Sequence, residues 1–226
     1  FINVTRGIEQ PTDLAGRTVG VYTYKMSTAL WARAILQHQY GVDLRSIRWV
    51  TSHPETFATP PPGITIDYRP GADLDQLLAE GELDAMIHPT QPRCFQDGDP
   101  RVRRLFPNFR EAEARYFRET RIFPIGHVVA VKRELLAAHP WLAGALFAAF
   151  EEARRLSYER VRRNPDFSPF IWAQAYDEEE RAILGDDPLL YGLEPSRPSI
   201  EAELRFLHEQ GLIPRPPRLE ELFAPL

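Results

Sequence analysis

The spacing of apolar residues in the first half of the chain alternates between two periods. Short apolar runs are separated by turn-forming residues, as expected for buried strands, and two segments between them repeat at helical spacing. The sequence predicts strands at residues 1–4, 17–22, 47–50, 64–68 and 83–88, and helices at residues 29–40 and 73–80. Strands that alternate with helices in this way indicate parallel βαβ units in a mixed sheet, and therefore an α/β fold.

The second half of the chain is mostly helical in pattern. Helices are predicted at residues 109–118, 132–138, 141–161, 169–184, 199–211 and 219–223. Residues 128–131 form an apolar run that predicts a strand, and residues 185–198 are polar and interrupted by prolines, which is typical of a long loop. Trp31, Phe147 and Phe150 fall on apolar helical stripes and are expected in the core.

Composition and charge exclude several classes of function. The chain has 226 residues, of which 43% are hydrophobic and 26% charged, as in ordinary globular proteins. No apolar run is long enough to span a bilayer, so we expect no membrane insertion. The formal net charge of −5 offers no basic surface, so no nucleic acid partner is expected. Cys94 is the only cysteine, which excludes an internal disulfide and a multi-cysteine metal site.

The segment Tyr24-Lys25-Met26-Ser27-Thr28 joins the second predicted strand to the first predicted helix. Free backbone N–H groups at a helix N-terminus, a lysine and two hydroxyls can together hold a carboxylate or a phosphate. The alternative is that Ser27 or Thr28 only caps the helix and that Lys25 is solvated. No glycine-rich nucleotide motif is present, so a nucleotide is not implied.

Two histidines occupy positions where strands of an α/β sheet meet the next element. His88 ends a predicted strand and is followed by Arg93, which could hold a carboxylate while the histidine supplies a proton. The alternative is a strand-terminal histidine bonded to backbone, with Arg93 on the surface. His127 directly precedes the predicted strand at residues 128–131, where a lone histidine is usually structural. The remaining histidines, including His53, are expected to be solvated or to act as local caps.

Several longer sequence segments occur in a specific order and spacing along the whole chain. They are Asp13-Leu14-Ala15-Gly16-Arg17-Thr18-Val19-Gly20-Val21, residues 26–36 with Trp31, Val102-Arg103-Arg104-Leu105-Phe106-Pro107, Phe123-Pro124-Ile125 with His127, Ala149-Phe150-Glu151-Glu152-Ala153, Tyr191-Gly192 with Arg197, Glu209-Gln210-Gly211-Leu212, and Glu220-Glu221-Leu222-Phe223-Ala224-Pro225. In this order the chain resembles the 4,5-dihydroxyphthalate decarboxylase family, whose members look like type 2 periplasmic solute-binding proteins.

The resemblance implies an architecture of two lobes with mixed sheets. Residues 1–12 would be a remnant of lobe one and the crossover, residues 13–122 an α/β lobe two, and residues 123–226 a mostly helical return to lobe one. It also implies a further segment ahead of Phe1, so the N-terminal part of lobe one is expected to be missing from this chain.

Two functions follow from the resemblance. The first is a cytoplasmic, cofactor-independent bacterial decarboxylase of 4,5-dihydroxyphthalate or a related aromatic diacid, acting in phthalate degradation. Tyr24, Lys25, Met26, Ser27 and Thr28 would bind the retained carboxylate and Arg93 the second one, with no metal. His127 would be the general acid, and His88 is the second candidate for that role.

The alternative function is a periplasmic solute-binding protein for a small aromatic carboxylate, without catalysis. A third hypothesis is an imine formed at Lys25. Such a mechanism needs a lysine, and Lys25 and Lys132 are the only two in the sequence. The sequence leaves open whether the protein is a homo-oligomer.

Overall fold

The computed structural model describes residues 1–57, 59–163, 168–187 and 189–224. These residues group into two units. The first unit contains Phe1–Ala112, Pro124–Gly126 and Ala202–Pro216. The second contains Glu113–Phe123, His127–Glu201 and the C-terminal residues from Pro217.

A mixed sheet of six strands forms the centre of the first unit within the described residues. Strands β1 to β6 comprise Ile2–Asn3, Thr18–Val21, Arg48–Thr51, Thr65–Tyr68, Ala85–Met86 and Val102–Arg103. Their spatial order is β4-β3-β2-β5-β1-β6. The four strands β4, β3, β2 and β5 run parallel, while β1 is antiparallel to both β5 and β6. The predicted α/β class and mixed sheet are therefore confirmed.

Nine α-helices are found in the described part of the chain. Helices α1 to α9 comprise Ser27–Tyr40, Leu74–Glu80, Arg93–Gln96, Phe109–Thr120, Arg133–Ala138, Leu142–Arg163, Ala173–Leu184, Leu193–Glu209 and Leu219–Leu222. Helices α1 to α3 belong to the first unit, α5 to α7 and α9 to the second, and α4 and α8 have residues in both. None of the helices in these residues combines the length and the hydrophobicity needed to cross a membrane.

The core of the first unit lies on both faces of the sheet, because successive residues of a strand point in opposite directions. On one face, side chains of β2 and β3 pack with α1: Val19, Val21, Trp49, Ala29 and Leu36. On the other face, side chains of β3 and β5 pack with α2: Val50, Met86, Leu74 and Leu78. Strands covered on both faces explain the nearly continuous apolar runs that the sequence shows.

The predicted elements of the first half agree with the structure to within a few residues. The strand expected at residues 83–88 is shorter, since only Ala85–Met86 forms ladder bonds. The sequence predicts no helix or strand between residues 89 and 108, which is wrong, because α3 and β6 lie there. Both elements are too short to produce a periodic pattern of their own.

Three predictions for the second half are wrong. Residues 128–131 have no strand structure, and Val128 is 70% exposed, because an apolar run forms a strand only where another strand bonds to it. The expected loop at residues 185–198 ends early, since α8 begins at Leu193, and Pro188 of that loop lies outside the described residues. Phe150 is 44% exposed rather than in the core, whereas Trp31 is buried as expected and Phe147 is half-buried beside Tyr191.

Gly211 closes the end of helix α8 inside the first unit. Its φ is +70°, a left-handed backbone conformation that residues with a Cβ adopt at a cost of roughly 1–2 kcal/mol. A Cβ at this position would also lie 2.8 Å from the Cβ of Pro61. The glycine is therefore required both by the turn and by the close approach of the two chain segments.

We expect Gly211→Ala to lower the free energy of unfolding by more than Gly71→Ala does. Gly71 has the same φ of +70° with open space around it, so Gly71→Ala measures the backbone term alone, about 1 kcal/mol. Gly211→Ala adds the clash with Pro61 and should cost about 2 kcal/mol or more. Urea denaturation of both variants measures the difference, and equal losses would contradict the close-approach explanation.

Candidate active site

The carboxyl ends of the parallel strands lie at one edge of the sheet, where open α/β sheets bind ligands. The register pairs Gly20 of β2 with Met86 of β5, and Val21 with Thr51 of β3. Continuing these pairs beyond the strand ends brings Tyr22 beside Ser52 on one side and His88 on the other. These three residues and His53 form what we call the strand-end cluster.

Tyr22 and His88 form the closest polar contact of the strand-end cluster. The Tyr22 hydroxyl oxygen lies 2.5 Å from Nε2 of His88, and the rings meet edge to face with centroids 4.8 Å apart. Nδ1 of His88 lies 2.7 Å from the carbonyl oxygen of Thr90 and 3.1 Å from both its N–H nitrogen and its hydroxyl oxygen. Both ring nitrogens of this half-buried histidine therefore have partners.

His53 adds a second imidazole to the strand-end cluster. It is exposed, as expected, but its ring packs edge-on against Tyr22 with centroids 5.5 Å apart. Nδ1 of His53 lies 3.0 Å from the Ser52 hydroxyl oxygen. Neither Tyr22 nor His53 was among the predicted site residues. Tyr22 ends the strand predicted at residues 17–22 and His53 lies three residues after the one predicted at residues 47–50, and this position near the strand ends was the available signal.

The helix-start segment, residues 24–28, opens helix α1 without a capping side chain. The N-cap is Met26, so the capping role considered for Ser27 or Thr28 is wrong. The first N–H groups of an uncapped helix have no partner within the helix. In the described residues, the half-buried side chains of Lys25, Ser27 and Thr28 form no hydrogen bond or ion pair.

Tyr24 differs from the rest of the helix-start segment because its side chain is fully buried. Its backbone N–H donates to Oε1 of Glu55 at 2.5 Å, and its ring meets Trp49 edge-on. Burial raises the pKa of its phenol. The side chain of Tyr24 thus supports the segment from within the core.

Arg33 of helix α1 lies behind Tyr24 and is fully buried. Its guanidinium carbon is 3.6 Å from the centroid of the Tyr24 ring, and its Nε donates to Oε1 of Gln210 at 2.7 Å. Both of its Nη atoms, Oε2 of Glu55 and the Tyr24 hydroxyl are buried without a hydrogen-bond partner in the described residues. Loss of hydration lowers the pKa of Arg33 to about 10, and the neighbouring Glu55 opposes that shift.

Arg93 is on the surface, 68% exposed, at the start of α3. Its Nη2 donates to Asp73 at 2.5 Å and its Nε to Asp75 at 3.1 Å. The hydrogen bonds to these two carboxylates raise the pKa of Arg93. The positive charge of the guanidinium is therefore already balanced by Asp73 and Asp75. A role for Arg93 in carboxylate binding stays a prediction, which requires exchange of at least one of these partners.

His127 belongs to the second unit, whereas the other predicted site residues belong to the first. It is exposed, lies in a segment without regular structure, and forms no hydrogen bond to another described residue. In the first unit, the nearby Ile125 is fixed by its carbonyl oxygen, which accepts a bond of 3.1 Å from Nε1 of Trp31. The role of His127 as a general acid stays a prediction.

No group of three or more histidine, cysteine or carboxylate residues that could hold a metal ion occurs among the described residues. The strand-end cluster and the helix-start segment together offer a different chemistry. The segment provides donors and a cation for an anionic group, and the cluster provides a phenol and imidazoles that exchange protons. Tyr22 and Met26 are four residues apart, so their Cα atoms lie at most about 14 Å from each other.

This arrangement, an α/β sheet with donors and proton-exchanging groups at its carboxyl edge, defines a class of small-molecule-binding proteins and enzymes. Comparison with known proteins narrows the class. A 4,5-dihydroxyphthalate decarboxylase of Comamonas testosteroni is 33% identical over 236 aligned residues, which cover 100% of this chain and 71% of that protein. A 4,5-dihydroxyphthalate decarboxylase of Pseudomonas putida is 32% identical over 126 residues, covering 52% of this chain and 49% of that protein.

The chain belongs to the 4,5-dihydroxyphthalate decarboxylase family. The resemblance seen in the order of the sequence segments is thereby confirmed. No model of a protein family matches the chain.

We expect Glu55→Ala to lower the free energy of unfolding by about 2 kcal/mol, because the Tyr24 N–H loses a charged acceptor and buried Arg33 loses a nearby negative charge. The matched control is Asp67→Ala, since Asp67 pairs with Arg69 at the surface and should contribute less than about 0.5 kcal/mol. Chemical denaturation compares the two variants. Equal small losses would show that Glu55 does not support the helix-start segment.

Proposed function

We propose that this protein is a decarboxylase of 4,5-dihydroxyphthalate or a related aromatic diacid. The observation that carries the proposal is the 33% identity with the Comamonas testosteroni decarboxylase, which extends over the whole chain. The Pseudomonas putida relative has the same name and supports the same substrate class. Neither relative favours the alternative, a solute-binding protein without catalysis.

The chemistry of the substrate explains how such a reaction proceeds without a cofactor. A ring hydroxyl para to the departing carboxylate donates electron density, so that the ring carbon bearing the carboxylate accepts a proton. The bond to the carboxylate then breaks, carbon dioxide leaves, and the electron pair restores the aromatic ring. The protein has to hold the diacid, supply the proton and remove water from the departing carboxylate.

In this proposal the helix-start segment holds the retained carboxylate. Its uncapped N–H groups support this assignment, as does Lys25, which has no partner among the described residues. Arg93 binds the second carboxylate, for which it exchanges Asp73 or Asp75. The Tyr24 side chain is buried in the core and supports the backbone of the helix-start segment rather than contacting the carboxylate itself.

We assign the proton supply to His88, with His127 as the alternative. His88 is supported by its position at the carboxyl edge of the sheet, in the same unit as the helix-start segment, and by partners on both ring nitrogens. A histidine positioned in this way can act as a general acid.

We also propose the two-lobe, type 2 periplasmic-binding-protein-like architecture that the sequence implies, with boundaries near residues 12 and 122. The mixed sheet and the division into two units support the two-lobe architecture, whereas the first unit runs from Phe1 to Ala112 without a break at residue 12. For the decarboxylase we propose a cytoplasmic location and a small aromatic carboxylate as the binding partner.

The test of the function is the release of carbon dioxide from 4,5-dihydroxyphthalate by the purified protein, with product formation followed by chromatography. Stoichiometric release of carbon dioxide and 3,4-dihydroxybenzoate is expected. If calorimetry shows tight binding of the diacid and the assay detects no release of carbon dioxide, the solute-binding alternative is favoured instead.

We expect Lys25→Met to weaken binding of the diacid by about 1 to 3 kcal/mol, the usual range for a charge-assisted hydrogen bond. Lys132→Met is the matched control, because Lys132 is the other lysine and is exposed in the second unit. Isothermal calorimetry measures both affinities. If the two variants bind equally well, Lys25 does not contact the carboxylate.

We expect His88→Asn to lower kcat by about 10² to 10⁴ with little change in affinity, the range for loss of a positioned general acid. His127→Asn serves as the comparison, and a small effect is expected because His127 is exposed and unbonded in the described residues. Single-turnover release of carbon dioxide measures the chemical step. The reverse result would transfer the acid role to His127.

A further inference from the structure

The hydrogen bonds of His88 restrict how it can reach a ligand. Nδ1 is surrounded by the carbonyl oxygen, the N–H and the hydroxyl of Thr90, at 2.7 to 3.1 Å. Nε2 is occupied by the Tyr22 hydroxyl oxygen at 2.5 Å. Neither nitrogen is available to a substrate while these contacts persist, so a proton that leaves His88 passes first to Tyr22 or to Thr90.

The hydrogen bonds that His88 forms with Tyr22 and Thr90 can be satisfied in every protonation state of His88. A neutral ring with its proton on Nδ1 donates to the Thr90 carbonyl and accepts from the Tyr22 hydroxyl. A neutral ring with its proton on Nε2 accepts from the Thr90 N–H and donates to Tyr22, and the imidazolium donates to both oxygens. The imidazole ring can therefore gain or lose a proton while Tyr22, His88 and Thr90 keep their positions.

Tyr22 has the free capacity that His88 lacks. Its hydroxyl can donate one hydrogen bond and accept two. Within the described residues, His88 is the only polar partner of this hydroxyl, and the half-buried Tyr22 side chain directly follows the carboxyl end of β2. When His88 is protonated and donates to the Tyr22 oxygen, the phenol's own proton is directed away from the histidine.

We propose that Tyr22 is the catalytic residue that delivers the proton to the substrate ring, and that His88 supplies Tyr22 through their shared hydrogen bond. This proposal rests on the proposed decarboxylase function and extends it. The O–H bond of Tyr22 breaks as a C–H bond forms at the ring carbon that bears the departing carboxylate. The Nε2 proton of His88 moves to the Tyr22 oxygen in the same process.

The products balance. The bond between ring and carboxylate breaks, its electron pair returns to the ring, and carbon dioxide leaves. Tyr22 ends as the phenol and His88 ends neutral. A solvent water returns one proton to His88 and leaves as hydroxide, so the net reaction consumes one water and no oxidant or metal.

The test compares Tyr22→Phe, His88→Asn and the double variant, with 4,5-dihydroxyphthalate as the probe. We expect Tyr22→Phe to lower the single-turnover rate by about 10² or more while affinity changes less than about threefold. The double variant should be no slower than the slower single variant, because two residues that pass one proton act as a unit. The solvent isotope effect on the chemical step should also differ between the parent and Tyr22→Phe.

Tyr68→Phe is the matched control, since it removes an exposed phenol hydroxyl at the end of β4, a parallel strand of the same sheet that β3 separates from β2. It should keep the parental rate. Multiplicative losses in the double variant, or an unchanged rate in Tyr22→Phe, would overturn the relay while leaving the decarboxylase function intact. No release of carbon dioxide by the parent protein would overturn the function and the relay together, so the two failures are distinguished.

Discussion

The buried charge of Arg33 is the constraint on which the organisation of the first unit depends. A guanidinium without water is costly unless neighbouring groups compensate it. Here the Tyr24 ring covers it, Gln210 accepts from its Nε, and Glu55 supplies nearby negative charge. Each of these groups lies on a different segment, so compensating one charge fixes helix α1, the helix-start segment and the C-terminal part of the unit together.

Support and chemistry are thus separated within the same short stretch of chain. Tyr24 points into the core and holds the backbone, whereas Tyr22, two residues earlier, stands at the open end of β2 beside His88. Glu55 bonds the N–H of Tyr24 and so limits the movement of the turn between them. A reactive phenol beside a rigidly held turn needs little reorganisation before it can act.

Local patterns predicted most elements of the first unit because strand and helix periods are properties of consecutive residues. The family could also be predicted from the sequence, because its characteristic segments appear in order along the chain. The Tyr22–His88 contact was not, because it joins residues 66 positions apart and depends on the pairing of Gly20 with Met86. The prediction for residues 128–131 failed for the related reason that a strand needs a partner, which an apolar run does not specify.

The bond between Arg33 and Gln210 joins residues 177 positions apart, which has a consequence for synthesis. A chain leaves the ribosome from its N-terminus, so Arg33 emerges long before Gln210 exists. Until then the nascent first unit has its sheet-forming segments but no acceptor for the guanidinium Nε. We therefore expect helix α1 to reach its final packing only after Gln210 has been synthesised, later than the sheet-forming segments of the same unit.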